Sequence, residues 1–309
     1  MINRHTRRSG SFGRRVVSHL VVASRPAPSR HPLRREVFFV RAPKYVLNGL
    51  LGVSALVFGS AHFIHAPAEN GPVLTAAVTF VSRSPVAVSS PARVAAEAVA
   101  AVTRSAVGAF EGVVRPLSRP EALEDAFKAY FAYKAAHPDD VRKPFLYFVD
   151  YGLASTEPRG YVFNMDSLKV VDGPFTVAHG RGSSTSQYGV PTRFSNASNS
   201  YATSLGLYVA QATYDFHGHT GGQGYSSIGL RLQGVSSGFN DNALNRKVVA
   251  HGAPYVTSTR AGRSQGCPAM EPARAARLLP KLADGGMVFL FAPDQDWLAR
   301  DPWLAASAS

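Results

Sequence analysis

From Pro144 onward the chain is divided into short apolar runs, and this pattern limits its possible folds more than any other feature. The runs are rich in Val, Tyr, Phe and Leu and are separated by Gly, Asp, Asn and Ser. Such spacing is typical of short β-strands joined by turns. Few helical patterns alternate with these runs, so an alternating parallel α/β fold is not expected. The predicted fold class is mixed and mainly β, a β-sandwich or open barrel with a few helices.

The positions of the predicted elements follow from the same pattern. Strands are predicted at residues 145–150, 160–164, 175–179, 205–213, 227–233, 247–250 and 287–291. A helix is predicted from Ser118 to Pro138, because Ser118 and Glu121 have the spacing of a capping box. A second helix is predicted at 271–283. The Gly- and Ser-rich segments 181–204 and 216–226 are predicted as loops that build a substrate groove.

The basic character of the chain is concentrated at its amino terminus. Residues 1–44 contain eleven basic residues and one acid, which gives them +10 of the formal +13. Residues 45–64 then contain no Asp, Glu, Lys or Arg. About 20 apolar residues are enough to cross a bilayer as a helix, and basic residues before such a span stay on the cytoplasmic side. This order predicts export of the remaining chain and argues against an arm that binds nucleic acid.

The predicted domain organisation follows these shifts in composition. Residues 1–44 are a basic cytoplasmic leader, and residues 45–66 are either a retained signal anchor or a cleaved signal peptide. Residues 67–117, dominated by Ala, Val, Ser, Pro and Arg, are predicted as a tether with at most transient helix. Residues 118–293 form the predicted catalytic domain, and 294–309 form a C-terminal tail. The predicted location is the periplasm, with the chain either anchored in the inner membrane or exported by a signal peptide.

Cys267 is the only cysteine of the chain. In an exported protein it meets oxidising conditions, and without a second cysteine it cannot form an intramolecular disulfide. A lone thiol is often a small buried apolar residue. The surrounding sequence favours a chemical role instead, because a predicted strand delivers His251 and Gly252 about 16 residues upstream.

A thiol becomes a thiolate near neutral pH only beside a base or a cation, and an imidazole is the usual group. His251 is therefore predicted to act as the base for Cys267, with the intervening loop folded back. Gly266 allows the backbone to approach a substrate closely. The amides around Gly266 and Cys267 are candidate donors to a tetrahedral oxyanion. An acyl transfer of this kind requires no metal and no other cofactor.

At this point the sequence resembles a known family. His251 and Gly252, followed by a Ser-x-Gly-Cys ending, resemble the catalytic signature of the L,D-transpeptidases of bacterial cell walls. The stretch from about 122 to 291 resembles the murein L,D-transpeptidase branch of that superfamily. The blocks that carry this resemblance are DYGLAS at 150–155, VAHG at 177–180, SLGLY at 204–208, LRLQGVSSGFNDNALNR at 230–246 and GRSQGCPA at 262–269.

The resemblance implies an L,D-transpeptidase-like catalytic domain with a dyad of Cys267 and His251, oriented by the backbone oxygen of Gly252. In such enzymes the thiolate attacks the stem-peptide carbonyl at the diaminopimelate position, D-Ala leaves and a thioester forms. An amine of another stem then accepts the acyl group, whereas attack by water would make the enzyme an L,D-carboxypeptidase. The implied partners are peptidoglycan stem peptides as donor and acceptor. Carbapenem acylation is expected of the class.

Two features depart from the commonest pattern of this family. Gln265 stands where a histidine is usual, and Pro268 and Ala269 stand where an Ile-Arg pair follows the cysteine. Arg263 is a candidate substitute for the missing arginine, because a guanidinium binds a carboxylate well. The other residues assigned to the oxyanion or substrate side are Gly266, Ser264, Tyr208 and Asn240.

Other motifs indicate rival functions. Residues 234–238 spell G-x-S-x-G, the elbow of α/β-hydrolases, but turn residues and not a helix follow it. His217 and His219 have a spacing that lets two imidazoles face one ion, so a metal-dependent wall peptidase is an alternative. A non-catalytic wall-binding protein is another alternative. His179 is predicted to be a structural or groove residue, not a second base.

Overall fold

A mixed eight-stranded sheet is the centre of the computed structural model, which describes residues 90–305. The predicted leader, the predicted anchor and residues 67–89 lie outside the described residues. In chain order the strands are β1 (Phe145–Asp150), β2 (Gly160–Asn164), β3 (Lys169–Phe175), β4 (His179–Gly180), β5 (Gly206–Thr220), β6 (Gln223–Gly234), β7 (Val249–Gly252), β8 (Arg263–Ser264), β9 (Ala269–Met270) and β10 (Met287–Phe291). The helices are α1 (Pro91–Phe110), α2 (Ala122–Ala136), α3 (Pro272–Leu282), α4 (Gln295–Arg300) and α5 (Pro302–Ala305).

The strand order in the large sheet is β3-β2-β1-β10-β5-β6-β7-β9, and β4 pairs with β8 in a separate two-stranded sheet. The β1–β10 and β7–β9 pairs are parallel, and the other pairs of the large sheet are antiparallel. A large mixed sheet with few helices confirms the predicted mixed, mainly β class.

The central strands β1 and β10 are buried almost throughout, which explains why they are continuous apolar runs and not alternating ones. The helix α3 presents Leu278, Leu279 and Leu282 to the core. The helix α2 buries an aromatic face that includes Phe127 and Tyr130, whose spacing places them on one side of a helix. These contacts make one apolar core around the sheet.

The helix α1 lies within the segment predicted as a tether. It begins after Ser90, whose hydroxyl accepts a hydrogen bond from the Arg93 amide at 3.2 Å. Its last residue, Phe110, is buried and packs against Phe127 and Phe163, with ring centroids 5.4 and 4.8 Å apart. Residues 91–110 are therefore a helix whose C-terminal half packs on the domain, which the Ala-rich composition did not predict. Within residues 90–305, no helix combines the length and the apolar character needed to cross a membrane.

The capping box predicted at the start of α2 is wrong. The helix begins at Ala122, and its N-cap residue makes no side-chain capping bond. Ser118 instead donates its amide and its hydroxyl to the carboxylate of Asp150, at 2.7 and 2.6 Å. Asp150 is fully buried, so its oxygens need donors, and Ser118 supplies them in place of capping a helix. Burial raises the pKa of Asp150, and the hydrogen bonds from Ser118 oppose that rise.

The loop predicted at 216–226 is the distal half of a long β5–β6 hairpin. The register continues to Thr220 opposite Gln223, and the turn between them is Gly221–Gly222. Both glycines have positive φ, +57° and +80°, which is the backbone of a two-residue hairpin turn. Exposed and half-buried residues alternate along this part of β5, as in a strand with one covered face.

Two further boundaries differ from the predictions. The strand predicted at 175–179 is absent, because β3 ends at Phe175 and the separate strand β4 begins at His179. The predicted C-terminal tail contains α4 and α5. Trp297 of α4 is buried and donates its indole N–H to Asp301 at 2.8 Å, so this part of the tail packs on the core.

Candidate active site

The register of three strands brings His251 and Cys267 together. On one side of β7, His251 is opposite Gly229 of β6; on the other side it is opposite Ala269 of β9. Cys267 precedes Ala269 by two residues, so the loop between β7 and β9 folds back, as predicted. The nucleophile candidate therefore lies two residues before the strand that pairs with the histidine.

The His251 side chain is held in one tautomer. It is only 3% exposed, and its Nδ1 lies 3.0 Å from the Gly252 carbonyl oxygen. Because a carbonyl can only accept, Nδ1 carries the proton and Nε2 keeps a free lone pair. The ring stacks on Phe216 with centroids 4.1 Å apart and planes 18° apart. Burial lowers the pKa of His251 to about 4, although the Gly252 carbonyl opposes this shift. The imidazole is thus neutral at pH 7, with Nε2 able to accept a proton.

The turn before Cys267 is closed by the Ser264 hydroxyl. This hydroxyl donates to the Cys267 carbonyl at 2.7 Å and accepts from the Gly266 amide at 3.1 Å. Gly266 has φ +122°, a conformation that other residues rarely adopt. Ser264 therefore shapes the turn, and the Gly266 amide is already engaged. Within residues 90–305 the Cys267 amide donates no hydrogen bond, so of the two predicted oxyanion donors it is the free one.

The thiol of Cys267 is half-buried, and its sulfur lies 4.0 Å from the Lys247 carbonyl oxygen. Burial raises the pKa of this thiol, while a hydrogen bond from the Val249 backbone and the charge of Arg246 act in the opposite direction. The resting thiol is therefore protonated at neutral pH, and a base is needed to activate it.

Arg246 is a functional candidate that the sequence did not identify. Its guanidinium is fixed by the carbonyl oxygens of Ser195 at 2.7 Å and Ala202 at 2.6 Å, and its charge favours the thiolate of Cys267. The only signal in the sequence is its place at the end of the family-like block 230–246. Nothing in that block indicates that its side chain turns toward the cysteine.

An aromatic wall formed by Tyr214, Phe216, Tyr225 and Tyr255 stands beside the dyad. The Phe216 ring is 6.1 Å from that of Tyr225, which is 6.4 Å from that of Tyr255. Burial raises the pKa of all three tyrosines, and Cys267 adds to the rise. Three of these residues belong to the β5–β6 hairpin, and the sequence missed the wall because it predicted a loop there.

His179 is the second buried histidine near this site. Its Nδ1 lies 3.0 Å from Nη2 of Arg159, a guanidinium that is fully buried and also donates to the carbonyls of Leu153 and Val177. A guanidinium can only donate, so Nδ1 of His179 accepts and Nε2 carries the proton. This Nε2 is buried and has no partner in the described part of the chain. Burial, followed by the charges of Arg159 and Arg263, lowers the pKa of His179 to about 3.

Tyr208 and Asn240 do not line a groove, and their assignment to the substrate side is corrected. Both are fully buried. The Tyr208 hydroxyl donates to the Ser204 carbonyl at 2.8 Å. The Asn240 side chain accepts from the Ser236 amide and donates to the Leu207 carbonyl, both at 2.9 Å. Their resemblance to family segments thus reflects their part in the core, where buried polar groups must be paired.

The residues of the two rival motifs have structural positions that do not require a catalytic role. Ser236, the serine of the G-x-S-x-G motif, is buried, and its hydroxyl accepts a hydrogen bond from the Leu207 amide at 2.9 Å. This bond links the residues after β6 to the start of β5. His217 and His219 lie on the exposed face of β5, and Nδ1 of His217 contacts the Ser226 hydroxyl at 3.1 Å. Between residues 90 and 305 no group of three or more His, Cys, Asp or Glu is arranged to hold a metal ion.

Arg263 and Gln265 lie on the approach to the cysteine. Arg263 is half-buried on β8, opposite His179, and its Nη1 donates to the Ser184 carbonyl at 3.0 Å. Gln265 is exposed. The turn Ser264–Cys267 thus lies next to the strand that carries His251 and Gly252, and Arg263 directly precedes this turn.

Comparison with known proteins gives a family match for most of the described chain. A family model described as the L,D-transpeptidase catalytic domain matches residues 116–291. This match includes the dyad, the aromatic wall and Arg246. A search of curated proteins found no match.

Three solved structures are similar to parts of the chain at low identity. An L,D-transpeptidase from Mycobacterium smegmatis is 16% identical, with a TM-score of 0.29, over 48% of this chain and 59% of that one. An LD transpeptidase in complex with imipenem is 15% identical, with a TM-score of 0.29 and the same two coverages. An L,D-transpeptidase from Stackebrandtia nassauensis is 15% identical, with a TM-score of 0.30, over 55% of this chain and 66% of that one. The chain thus spans less than two thirds of the length of these structures.

Proposed function

Because the chain belongs to the L,D-transpeptidase catalytic domain family, we propose that it is a peptidoglycan L,D-transpeptidase with Cys267 as its nucleophile. In this proposal the Cys267 thiolate attacks the stem-peptide carbonyl at the diaminopimelate position and releases D-Ala. The acyl group is then transferred from the thioester to an amine of another stem. Peptidoglycan stem peptides are the proposed donor and acceptor.

The observation that carries this proposal is the tautomer of His251. Its Nδ1–H is bound to the Gly252 carbonyl, so the other ring nitrogen is free to accept a proton on the strand next to the cysteine. The Gly252 carbonyl also stabilises the imidazolium that forms when the thiol gives up its proton. This is the arrangement that activates a nucleophile through an adjacent, oriented base.

The proposed proton path balances over both half-reactions. The thiol proton passes to Nε2 of His251 as sulfur bonds to the carbonyl carbon, and the Cys267 amide donates to the developing oxyanion. The imidazolium then protonates the nitrogen of D-Ala as the peptide bond breaks. In the second half-reaction the acceptor amine attacks the thioester and passes a proton to His251. That proton returns to sulfur when the Cys267 thiol leaves.

Mass spectrometry of the full-length chain with tetrapeptide muropeptides tests the proposal. The wild type is expected to release D-Ala and to gain the mass of an acyl group on Cys267. The variant Cys267→Ala is expected to do neither. Products from Cys267→Ala equal to those of the wild type would refute the mechanism, and so would a wild type that forms neither D-Ala nor an adduct. A free tripeptide product in place of a cross-linked one would identify the L,D-carboxypeptidase alternative.

The metal-dependent alternative predicts a different dependence. If His217 and His219 bound a catalytic ion, chelation would abolish D-Ala release and zinc would restore it. We expect the turnover to be unchanged after chelation, and unchanged in His217→Ala, because the exposed face of β5 is not part of the dyad.

We further propose that the chain acts in the periplasm, anchored or exported through residues 45–66. The support is the sequence alone: a strongly basic leader followed by an uncharged apolar span. A C-terminal tag on the full chain should be cleaved by protease added to spheroplasts. Protection of that tag until the inner membrane is lysed would refute the proposed location.

A further inference from the structure

A cavity of about 390 Å³ opens beside the turn that carries Cys267, and two arginines line it. Its lining residues are Arg181, Gly182, Tyr201 and Arg263. We call it the Arg181–Arg263 cavity. It is open to solvent on one side, which suits a flexible polymer more than an enclosed small molecule.

The cavity is joined to the nucleophile through the backbone. The Arg181 amide donates to the Ser264 carbonyl at 2.8 Å, and Arg263 is four residues before Cys267. Gly180 lies directly against the turn: a Cβ atom at this position would be 2.8 Å from the Cα of Gly266. The segment that lines the cavity and the turn that carries Cys267 are therefore in direct main-chain contact.

Both guanidinium groups retain free donors. Arg263 uses Nη1 for the carbonyls of Ser184 and Thr185, at 3.0 and 3.4 Å. Arg181 is exposed and stacks on the Tyr201 ring, with its guanidinium carbon 3.9 Å from the ring centroid. In the described part of the chain, neither arginine forms an ion pair with a carboxylate. Two uncompensated cations thus face one cavity.

The backbone that presents Tyr201 is in an unusual conformation. Tyr201 has φ +52° and Asn199 has φ +59°, a backbone region that non-glycine residues adopt only at a cost in free energy. The close approach needs glycines opposite: a Cβ at Gly182 would lie 2.1 Å from the Ser200 oxygen, and one at Gly180 would lie 2.3 Å from the Tyr201 oxygen. The fold therefore holds the aromatic ring beneath Arg181 at the expense of local backbone strain.

We propose that the Arg181–Arg263 cavity binds a carboxylate of the donor peptide next to the bond that Cys267 attacks; this inference rests on the proposed function. A guanidinium fork matches the two oxygens of a carboxylate, and a guanidinium stacked on an aromatic ring loses little freedom on binding. Two sources have this chemistry, the terminal carboxylate of the D-Ala that leaves and the side-chain carboxylate of diaminopimelate.

Binding measurements in the full-length Cys267→Ala protein test the carboxylate site without turnover. We compare the Kd of a tetrapeptide muropeptide for this protein and for versions that add Arg181→Gln, Arg263→Gln or both. Each single change is expected to weaken binding about tenfold, and the pair to weaken it more. Arg260→Gln is the matched control, because Arg260 is also exposed and lies 5.8 Å above a tyrosine ring, that of Tyr188, but does not line the cavity.

Two modified donors identify which carboxylate is bound. One has a carboxamide at its terminal D-Ala, and the other has a carboxamide on the diaminopimelate side chain. The donor that has lost the bound carboxylate should bind weakly to the Cys267→Ala protein. Its Kd should be the same when Arg181→Gln and Arg263→Gln are added. If both modified donors still bind more weakly to the double arginine variant, the arginines do not bind either carboxylate and the inference is wrong. An unchanged Kd in the double variant for the unmodified donor also refutes it.

Turnover separates this inference from the proposed function. With an active cysteine, the double variant should show a raised KM for D-Ala release, while kcat changes little because the dyad is intact. A wild type that forms no thioester would refute the proposed function, whereas arginine-dependent binding to Cys267→Ala would stand. Normal turnover with arginine-independent binding would refute the carboxylate site alone.

Discussion

The tetrapeptide Val-Ala-His-Gly occurs twice, at residues 177–180 and 249–252, and the two copies adjoin the same strand. Ala178 of the first copy forms a bridge with Ala269, and His251 of the second copy is opposite Ala269 on the other side. Both histidines are buried, and both have a pKa below the ordinary value. The four residues of the motif alone do not distinguish the two copies; only the position of the second copy upstream of Cys267 does.

Their hydrogen-bond partners give the two histidines opposite roles. A carbonyl at Nδ1 makes His251 a proton acceptor at Nε2, whereas a guanidinium at Nδ1 makes His179 a donor at Nε2. The carbonyl comes from the next residue, but the guanidinium of Arg159 comes from a distant segment. The sequence motif therefore does not determine whether a histidine can act as a base. The group bound to Nδ1 determines whether Nε2 is free to accept a proton.

The largest expected effect comes from replacing each histidine in turn. His251→Ala should lower the rate of D-Ala release roughly 10²- to 10⁴-fold, because it removes the proposed acceptor of the thiol proton. His179→Gln should stay within about tenfold of the wild type, because His179 presents a donor and not a base. Initial rates measured at pH 7 on the full chain decide this. Equal losses in the two variants would contradict the distinction between the histidines.

Arg159→Met is expected to have the second largest effect, on stability. The variant leaves the carbonyls of Leu153 and Val177 and the Nδ1 of His179 without their donor in a fully buried place. We expect the free energy of unfolding to fall by about 3 kcal/mol, the cost of losing hydrogen bonds to a charged group. Urea unfolding measures this fall. The control Arg231→Met removes an exposed guanidinium stacked on an aromatic ring and should change stability by less than about 0.5 kcal/mol.

The smallest expected effect is a pH dependence of stability. Both histidines have a native pKa, about 3 for His179 and about 4 for His251, below the value of 6.5 in an unfolded chain. Above pH 6.5 both states are neutral, and the histidines add no pH dependence. As the pH falls below 6.5 the unfolded chain binds protons that the native imidazoles do not, so the free energy of unfolding decreases until the native pKa is passed.

His179→Gln should remove part of this decrease. Between pH 7 and pH 5 we expect the variant to lose about 1 to 2 kcal/mol less than the wild type. Comparing the two proteins cancels the contribution of the carboxylates, which both contain. A decrease of equal size in both proteins would show that His179 is not kept neutral by the fold.

The bounds of secondary-structure elements were predicted best where consecutive residues are buried. The strands β1, β2 and β10 have the predicted bounds, because long apolar runs between turn residues leave few alternatives. The helix α1 was missed because its Ala, Val and Arg composition resembles a linker, and its packing depends on Phe110 meeting residues far along the chain. The distal hairpin was missed because exposed polar residues and glycines are also typical of loops.

The residues of the candidate site also fall into two groups, those that the sequence identified and those that it did not. Cys267, His251 and Gly252 are recognisable because their chemistry and spacing lie within one stretch of sequence. Arg246 and Phe216 reach the dyad through tertiary packing, which a pattern of residue types does not contain. Tyr208 and Asn240 were misassigned because the sequence does not reveal on which side of a strand or turn a polar side chain lies.

The contact between Gly180 and the turn at Gly266 has a consequence for which substitutions this protein can accept. A side chain at Gly180 would collide with main-chain atoms of Gly266 and Tyr201, which cannot rotate away. The path of the main chain that leads to Cys267 is thus fixed by contacts between main-chain atoms. We expect substitutions of exposed side chains near this turn, such as Gln265, to be tolerated, whereas a substitution at Gly180 would displace the main chain that leads to Cys267.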